Sequence, residues 1–302
     1  MQLFVKKIFL FFILVFVMDL FFGLILKGLY FNVPQKLTYS IRESNEDVLI
    51  YGSSRANRHY NPKVFEDKLG LSCFNNGFDG RNIFYHYALF QSAIKRSKPK
   101  LVILDIMASD YTITSSDWDT DRLNVLLPFF NENEYINDVV NLRSPFEKVK
   151  LFSSIYPFNS ALVEIYKNYL YNKDPSMGYM GFIPKKKEDG FKRGMSEVQF
   201  NQDGKPDARK INYLQKIIQV CKNNNIPLIV VISPWFSSKI QESKILEKIT
   251  SDNQIPLWNF SHSESFNDEL LFFDASHLND IGANLFSEFI AHKIQKEIIK
   301  DE

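Results

Sequence analysis

Hydrophobic and polar positions divide the chain into three regimes. The first is one continuous apolar run. From Ile8 to Leu26 only Asp19 and Gly23 interrupt it, with Lys6 and Lys7 in front and Tyr30 and Phe31 behind. At about 1.5 Å rise per residue, that run approaches the roughly 30 Å of a bilayer core. It exceeds the roughly 7–15 apolar residues of a signal-peptide core, and no small-residue cleavage site or lipid-attachment Cys follows. The pattern predicts an uncleaved single-pass anchor over residues 1–31, with the bilayer as partner through residues 8–26. The two leading lysines favour a cytoplasmic start, against the weaker pull of Lys27, Lys36 and Arg42. The remaining chain is then extracytoplasmic, on the periplasmic or cell-surface side. Residues 32–46 read as a polar tether. Asp19 is costly in lipid, and two explanations stand level: a partner helix binds it, or one carboxyl is tolerated in a very apolar helix.

The second regime alternates short apolar runs with amphipathic segments. "VLIYG", "LSCFNN", "LVILD", "IPLIVVISPW" and "IPLWNF" read as buried strands that stop at Gly, Ser, Asn or Asp. Between them lie helical stretches: "NPKVFEDKLG" with Asn61 as cap, Pro62 in its first turn and Gly70 at its end, then about 82–97, 207–223, 238–251 and 280–296. Ile211, Leu214, Ile217, Ile218 and Cys221 share one face of the 207–223 stretch; Leu285, Phe286, Phe289, Ile290 and Ile294 follow helical spacing in the last. Strands alternating with helices predict an α/β domain, a three-layer α/β/α arrangement around a central parallel sheet, over residues 47–300. The third regime, residues 112–201, breaks the alternation. It is an insertion with aromatic-rich helical pieces near 145–172 and a basic loop, "MGFIPKKKEDGFKRG".

Composition removes several functions. Net charge is +1, so no basic excess exists to neutralise phosphates and no nucleic-acid partner is expected. The 2 cysteines, Cys73 and Cys221, lie in apolar-periodic segments without metal-ligand spacing and read as buried thiols, a disulfide between them staying open. Asp117, Asp119 and Asp121 mimic the start of a calcium loop. Arg122 stands where its Gly belongs and Pro128 where its bidentate Glu belongs, so no metal site is expected, nor any cofactor.

Parallel sheets carry their sites beyond the carboxyl ends of the strands. Ser53 and Ser54 follow the first strand; Gly77, Asp79 and Gly80 the second; Ser109 and Asp110 the third. Asp274 stands three residues before His277, at the start of the last helix. A serine hydroxyl becomes a nucleophile only beside a base, and the base needs an acceptor that fixes its tautomer. Ser54, His277 and Asp274 supply those three groups.

These blocks, "VLIYGSS", "FNNGFDGRN", "LVILDIMASDY" and "DASHLNDIGA", resemble in order those of the SGNH, or GDSL-like, hydrolase superfamily of Ser-His-Asp esterases and acyltransferases. The resemblance covers about residues 47–298. It implies a flavodoxin-like strand order, Ser54 as nucleophile with Asp274 and His277, and an oxyanion hole from Ser54, Gly80 and Ser109. Gly-Ser-Ser replaces the family's Gly-Asp-Ser. That variant is similar to membrane-anchored relatives such as the teichoic acid D-alanyl transfer protein and polysaccharide O-acetylation proteins. Ala108-Ser109-Asp110 replaces a Gly-x-Asn-Asp whose Asn donates to the oxyanion, and losing one donor typically costs about 10²–10³ in turnover. Asn75 and Asn57 are the other candidates for that donor. Arg55, Asn75 and Asp110 are candidate substrate contacts, Arg55 equally a loop-pinning ion pair. His59, His86, His262 and His292 read as structural.

The expected activity is an extracytoplasmic esterase or O-acyltransferase acting on acyl, chiefly acetyl, esters of cell-envelope or exported polysaccharide. Its substrate would be a glycan or acylated carbohydrate. The competing expectation is a degenerate binding or assembly subunit of a multi-span membrane acyltransferase.

Overall fold

Five apolar runs pair side by side into one parallel sheet. In the computed structural model, which describes residues 1–113, 118–171, 174–192, 205–236 and 243–298, they are β1 (Val48–Gly52), β2 (Cys73–Asn75), β3 (Leu101–Asp105), β4 (Leu228–Ile232) and β5 (Leu257–Asn259). The order is β2-β1-β3-β4-β5, the expected flavodoxin-like one. Val48 faces both Cys73 and Leu101, so the carboxyl ends of β1, β2 and β3 reach one rim.

Every residue of β1, β3 and β4 is buried, because helices cover both faces. Alternation sorts the side chains. Leu49, Tyr51, Val102, Leu104 and Val230 meet α2 (Lys36–Arg42), α5 (Ile83–Ile94) and α10 (Ala208–Asn223). Val48, Ile50, Ile103 and Val231 meet α3 (Ser54–His59), α4 (Pro62–Leu69) and α12 (Asp280–Glu297). That is the three-layer arrangement. Caps set the helix ends as the sequence foretells: Asn61 accepts from the Lys63 N–H, and Gly70 closes α4 at φ 66°. The expected 238–251 helix is observed as α11 (Lys244–Asn253), and residues 237–242 lie outside the described residues.

One expectation needs correction. Residues 32–46 do not form a loose tether. Lys36, Leu37, Thr38, Ser40 and Ile41 are buried as α2 lies on α5, and Arg96 donates to the Ile41, Ser40 and Ser44 carbonyls. On α12, the buried face is Ala283, Phe286, Ser287, Ile290 and Ile294, while Leu285 and Phe289 are 46% and 40% exposed. Small residues at 283, 287 and 291 let α12 approach α3 and α4 closely, which narrows the covered face. Phe289 settles edge-on against Phe260 and Phe266.

The insertion adds α6 (Trp118–Asp121), α7 (Glu134–Asn141), α8 (Glu147–Lys150) and α9 (Leu162–Tyr171), with 3-10 turns between them. The N-terminal run is a single helix, α1 (Gln2–Phe31), long and apolar enough to cross a membrane. Asp19 finds its partner within the chain: it accepts from Ser153 Oγ at 2.5 Å and from the Ser154 N–H at 2.6 Å.

Arg55 ties the rim together. Its guanidinium donates to the Ile106 carbonyl at 2.7 Å and stands 3.6 Å from Asp105, both side chains about 1% exposed. Arg55→Ala would leave the buried Asp105 without its cation, an expected loss of roughly 3–5 kcal/mol. Urea unfolding in detergent reads it, and Arg55→Met with Asp105→Asn should recover part of that loss.

Candidate active site

The chain turns sharply at the end of β1. Gly52 has φ 152°, and a Cβ there would run into the Asp105 carbonyl oxygen, so only glycine lets Ser53 and Ser54 emerge at the rim. Ser53 occupies the cap position and Ser54 the first position of α3. Backbone N–H groups in that first turn have no intrahelical acceptor.

The opposing group comes from a tight hairpin, β6 (Phe272–Asp274) and β7 (His277–Leu278), in which Asp274 pairs with His277. Asp274 Oδ1 accepts from the Ser276 N–H at 2.8 Å, Ser276 Oγ at 2.9 Å and the His277 N–H at 3.0 Å. Its Oδ2 lies 2.9 Å from His277 Nδ1. A carboxylate only accepts, so Nδ1 carries the proton and Nε2 presents a lone pair. That Nε2 lies 2.8 Å from Ser54 Oγ. The three side chains thus form one hydrogen-bonded line, Asp274–His277–Ser54, across 223 residues of sequence.

Burial opposes charge on Asp274, but the His277 imidazole and the Ser276 donors outweigh it and hold the carboxyl below its ordinary range. A depressed folded pKa stabilises the fold above the unfolded carboxylate value, near 4, and that contribution is lost as pH falls through the folded value. Thermal melts between about pH 5 and 2 should therefore drop less steeply for Asp274→Asn than for the parent.

His59, read from sequence as structural, braces this hairpin. It is fully buried and accepts the Leu278 N–H on Nε2 at 3.0 Å, so Nδ1 carries the proton toward Ser233 Oγ at 2.9 Å. Burial, with the Arg55 charge nearby, lowers its pKa well below the ordinary value.

The remaining candidates separate. Gly80 lies at the same rim, in the turn after β2, with φ 67°; its carbonyl accepts from Arg122 at 2.9 Å. Ser109 sits in the 3-10 turn Ala108–Tyr111 beyond β3, its carbonyl accepting from Thr112. Asp110, half-buried, accepts the Met107 N–H at 2.7 Å and so caps that turn. Burial pushes its carboxyl up to about 6, against the pull of Met107 and Arg55.

Arg55 and Asn75 are corrections. Arg55 is buried on protein partners, as described above, which leaves it no free donor face at the surface. Asn75 is fully buried, donating to the Ala56 and Tyr60 carbonyls and accepting from the Gly77 N–H. Neither side chain is presented to a substrate. Asn57 is likewise engaged, donating to Asp79 at 2.7 Å.

Sequence reasoning gave no role to the network around Asp79. Asp79 takes Asn57 and, at 2.5 Å, Arg58. Burial opposes its charge, yet Arg58, Asn57 and the nearby His277 hold its pKa down. Behind it Lys36 donates to Asn57 Oδ1 at 3.0 Å, to the Gly181 carbonyl at 2.5 Å and to the Gly77 carbonyl. Burial depresses the Lys36 ammonium to about 7 despite Asp174 and Asp79. The signal for Asp79 was its place in the Gly-rich turn after β2; for Lys36 there was none.

These residues wall a cavity of about 490 Å³, lined by Asn57, Phe78 and Asp79 on the rim side and by Val163, Glu164 and Lys167 of α9 on the other. Among the described residues, no cluster of three His, Cys, Asp or Glu side chains suits a metal ion. Cys73 and Cys221 are both buried and free.

No protein-family model and no curated protein matches the chain. Solved structures are similar to it. One, assigned to the G-D-S-L lipolytic family, is from Desulfitobacterium hafniense DCB-2: 10% identity, 81% of this chain, 97% of that one, TM-score 0.40. Another, assigned as an acylhydrolase, is from Bacteroides fragilis NCTC 9343: 14% identity, 89% and 97% coverage, TM-score 0.39. The acetyl xylan esterase AlAXEase matches at 14% identity, 83% and 99% coverage, TM-score 0.38.

Proposed function

We propose that the chain is a membrane-anchored, extracytoplasmic serine esterase or O-acyltransferase of the SGNH type, acting on acyl esters of cell-envelope or exported polysaccharide. The observation that carries this reading is the 2.8 Å approach of His277 Nε2 to Ser54 Oγ, with Asp274 on the far ring nitrogen.

In the first step Ser54 Oγ bonds to the ester carbonyl carbon while its proton passes to His277 Nε2. The carbonyl oxygen takes the electron pair and is met by the Ser54 N–H, with the Gly80 N–H as second donor. The tetrahedral adduct collapses, the C–O bond to the leaving alcohol breaks, and His277 returns its proton to that oxygen. Acyl-Ser54 remains. Water or a sugar hydroxyl then attacks it, again losing a proton to His277, and as the acyl bond to Ser54 Oγ breaks, His277 passes that proton to Oγ. Asp274 steadies the imidazolium in both halves without taking its proton.

The cavity between the rim and α9 is the place for the acceptor, and its mixture of Lys167 and Glu164 with Val163 and Phe78 suits a hydroxyl-rich ring lying on apolar carbon. An aryl acetate assay with and without a soluble oligosaccharide tests the reading. Acetyl release measures hydrolysis, and acetylated oligosaccharide measures transfer. Folded protein that does neither points to the binding-subunit reading, which the replacement of the expected Asn by Ser109 favours.

A further inference from the structure

Among the described residues, the insertion leaves a large apolar surface uncovered, and it lies beside α1. Phe146, Val149 and Phe152 in and flanking α8, and Tyr166, Tyr169 and Leu170 on α9, are 56 to 83% exposed. Soluble surfaces rarely gather such side chains. The patch is continuous with the N-terminal helix. Asp19 of α1 is bonded to Ser153 and Ser154, Gly23 packs so closely on Ser154 that a Cβ would collide, and the Tyr30 ring packs at a tilt against Phe158.

The depth of Asp19 decides what covers the patch. If the hydrocarbon layer begins as early as Leu3, about 20 helical residues carry it to Phe22. Asp19 then lies about 5 Å inside the outer boundary, and deeper if the layer begins at Ile8. The Ser153–Ser154 turn must reach the same level, taking Phe152, the most exposed of the six, with it.

The segment is built for that environment. Its backbone bonds internally: Val149 and Lys150 N–H to the Phe146 carbonyl, Leu151 to Glu147, Phe152 to Val149 and Ser153 to Lys150. Glu147 is buried and neutralised by Arg143 at 2.5 Å and Lys150 at 3.1 Å, with the Tyr156 hydroxyl at 2.5 Å. Tyr166 and Tyr169 suit the interfacial belt, where an amphipathic ring meets both lipid and water.

We infer that α8, the turn after it and the outer face of α9 form a foot that enters the outer leaflet beside α1, its occupant the acyl region of the bilayer. The Ser153 and Ser154 donors make the intramembrane carboxylate of Asp19 tolerable. Because α9 also walls the cavity beside the Ser54 rim, the foot fixes that cavity at the membrane surface. The inference rests on α1 crossing the membrane.

Spin labelling of the full chain in phosphatidylcholine–phosphatidylglycerol nanodiscs tests it. Nitroxides are attached to Phe152→Cys, Tyr166→Cys and Leu170→Cys, with Val15→Cys in α1 and Lys248→Cys on the far surface as references. Dissolved oxygen should relax the Phe152 and Leu170 labels several-fold more strongly than the water-soluble nickel chelate does, as at Val15, with the Tyr166 label intermediate and the ratio reversed at Lys248. Foot labels that resemble Lys248, or that neither reagent reaches because protein covers them, overturn the foot while Val15 stays in lipid. A water-exposed Val15 label instead removes the anchor, and the inference with it. The substituted side chains are exposed, so the fold does not depend on them.

Discussion

Ser54→Ala is expected to cut ester turnover by on the order of 10⁴-fold or more, with substrate binding almost unchanged. In the proposed mechanism this hydroxyl forms the acyl-enzyme, and the residual rate would come from the backbone donors at the start of α3. Stability should barely move. Among the described residues Ser54 Oγ makes one side-chain hydrogen bond, to His277, at a half-exposed position on the rim. A kcat loss of that size with an unaltered melting temperature is what separates a nucleophile from a structural serine. A small rate change would place the chemistry elsewhere.

Asp274→Asn should cost about 10⁴-fold in kcat for a different reason. The amide keeps the shape of the carboxylate, and its oxygen still accepts from the Ser276 and His277 N–H groups, so the hairpin turn survives. Its NH₂, however, would present a donor to His277 Nδ1. The imidazole then carries its proton on Nε2, the nitrogen facing Ser54, and the base is lost. The same variant is the one whose acid melting should flatten. One substitution therefore links kinetics to stability through a single carboxylate, and pH-dependent melting together with steady-state kinetics reads both effects.

The layers of the fold and the central line of the site were legible because each rests on local chemistry. Val48 to Gly52 and Leu101 to Asp105 declare buried parallel strands by apolar runs that stop at polar residues. Asp274 and His277 announce themselves by a spacing that only a tight turn can use. What escaped depends on burial, which one sequence does not display. Arg55 directly follows Ser54 and looks free to bind an anion, yet Asp105 and the Ile106 carbonyl draw it into the interior. Asn75 has the chemistry of an oxyanion donor, but two backbone carbonyls take both amide hydrogens. Lys36 stands in a stretch whose composition reads as a tether; its stem is buried by the docking of α2 on α5, and its ammonium by carbonyls 41 and 145 residues away. Asp19 carried two open explanations, and its partner, the Ser153–Ser154 turn, lies some 134 residues downstream, beyond the reach of any local pattern.

The most direct measurement is covalent. The purified full-length chain, treated with a fluorophosphonate and digested, should yield one phosphonylated peptide, modified at Ser54. His277→Ala should lose that adduct while remaining folded. Modification at another serine, or none on folded parent protein, would contradict a nucleophile at the head of α3.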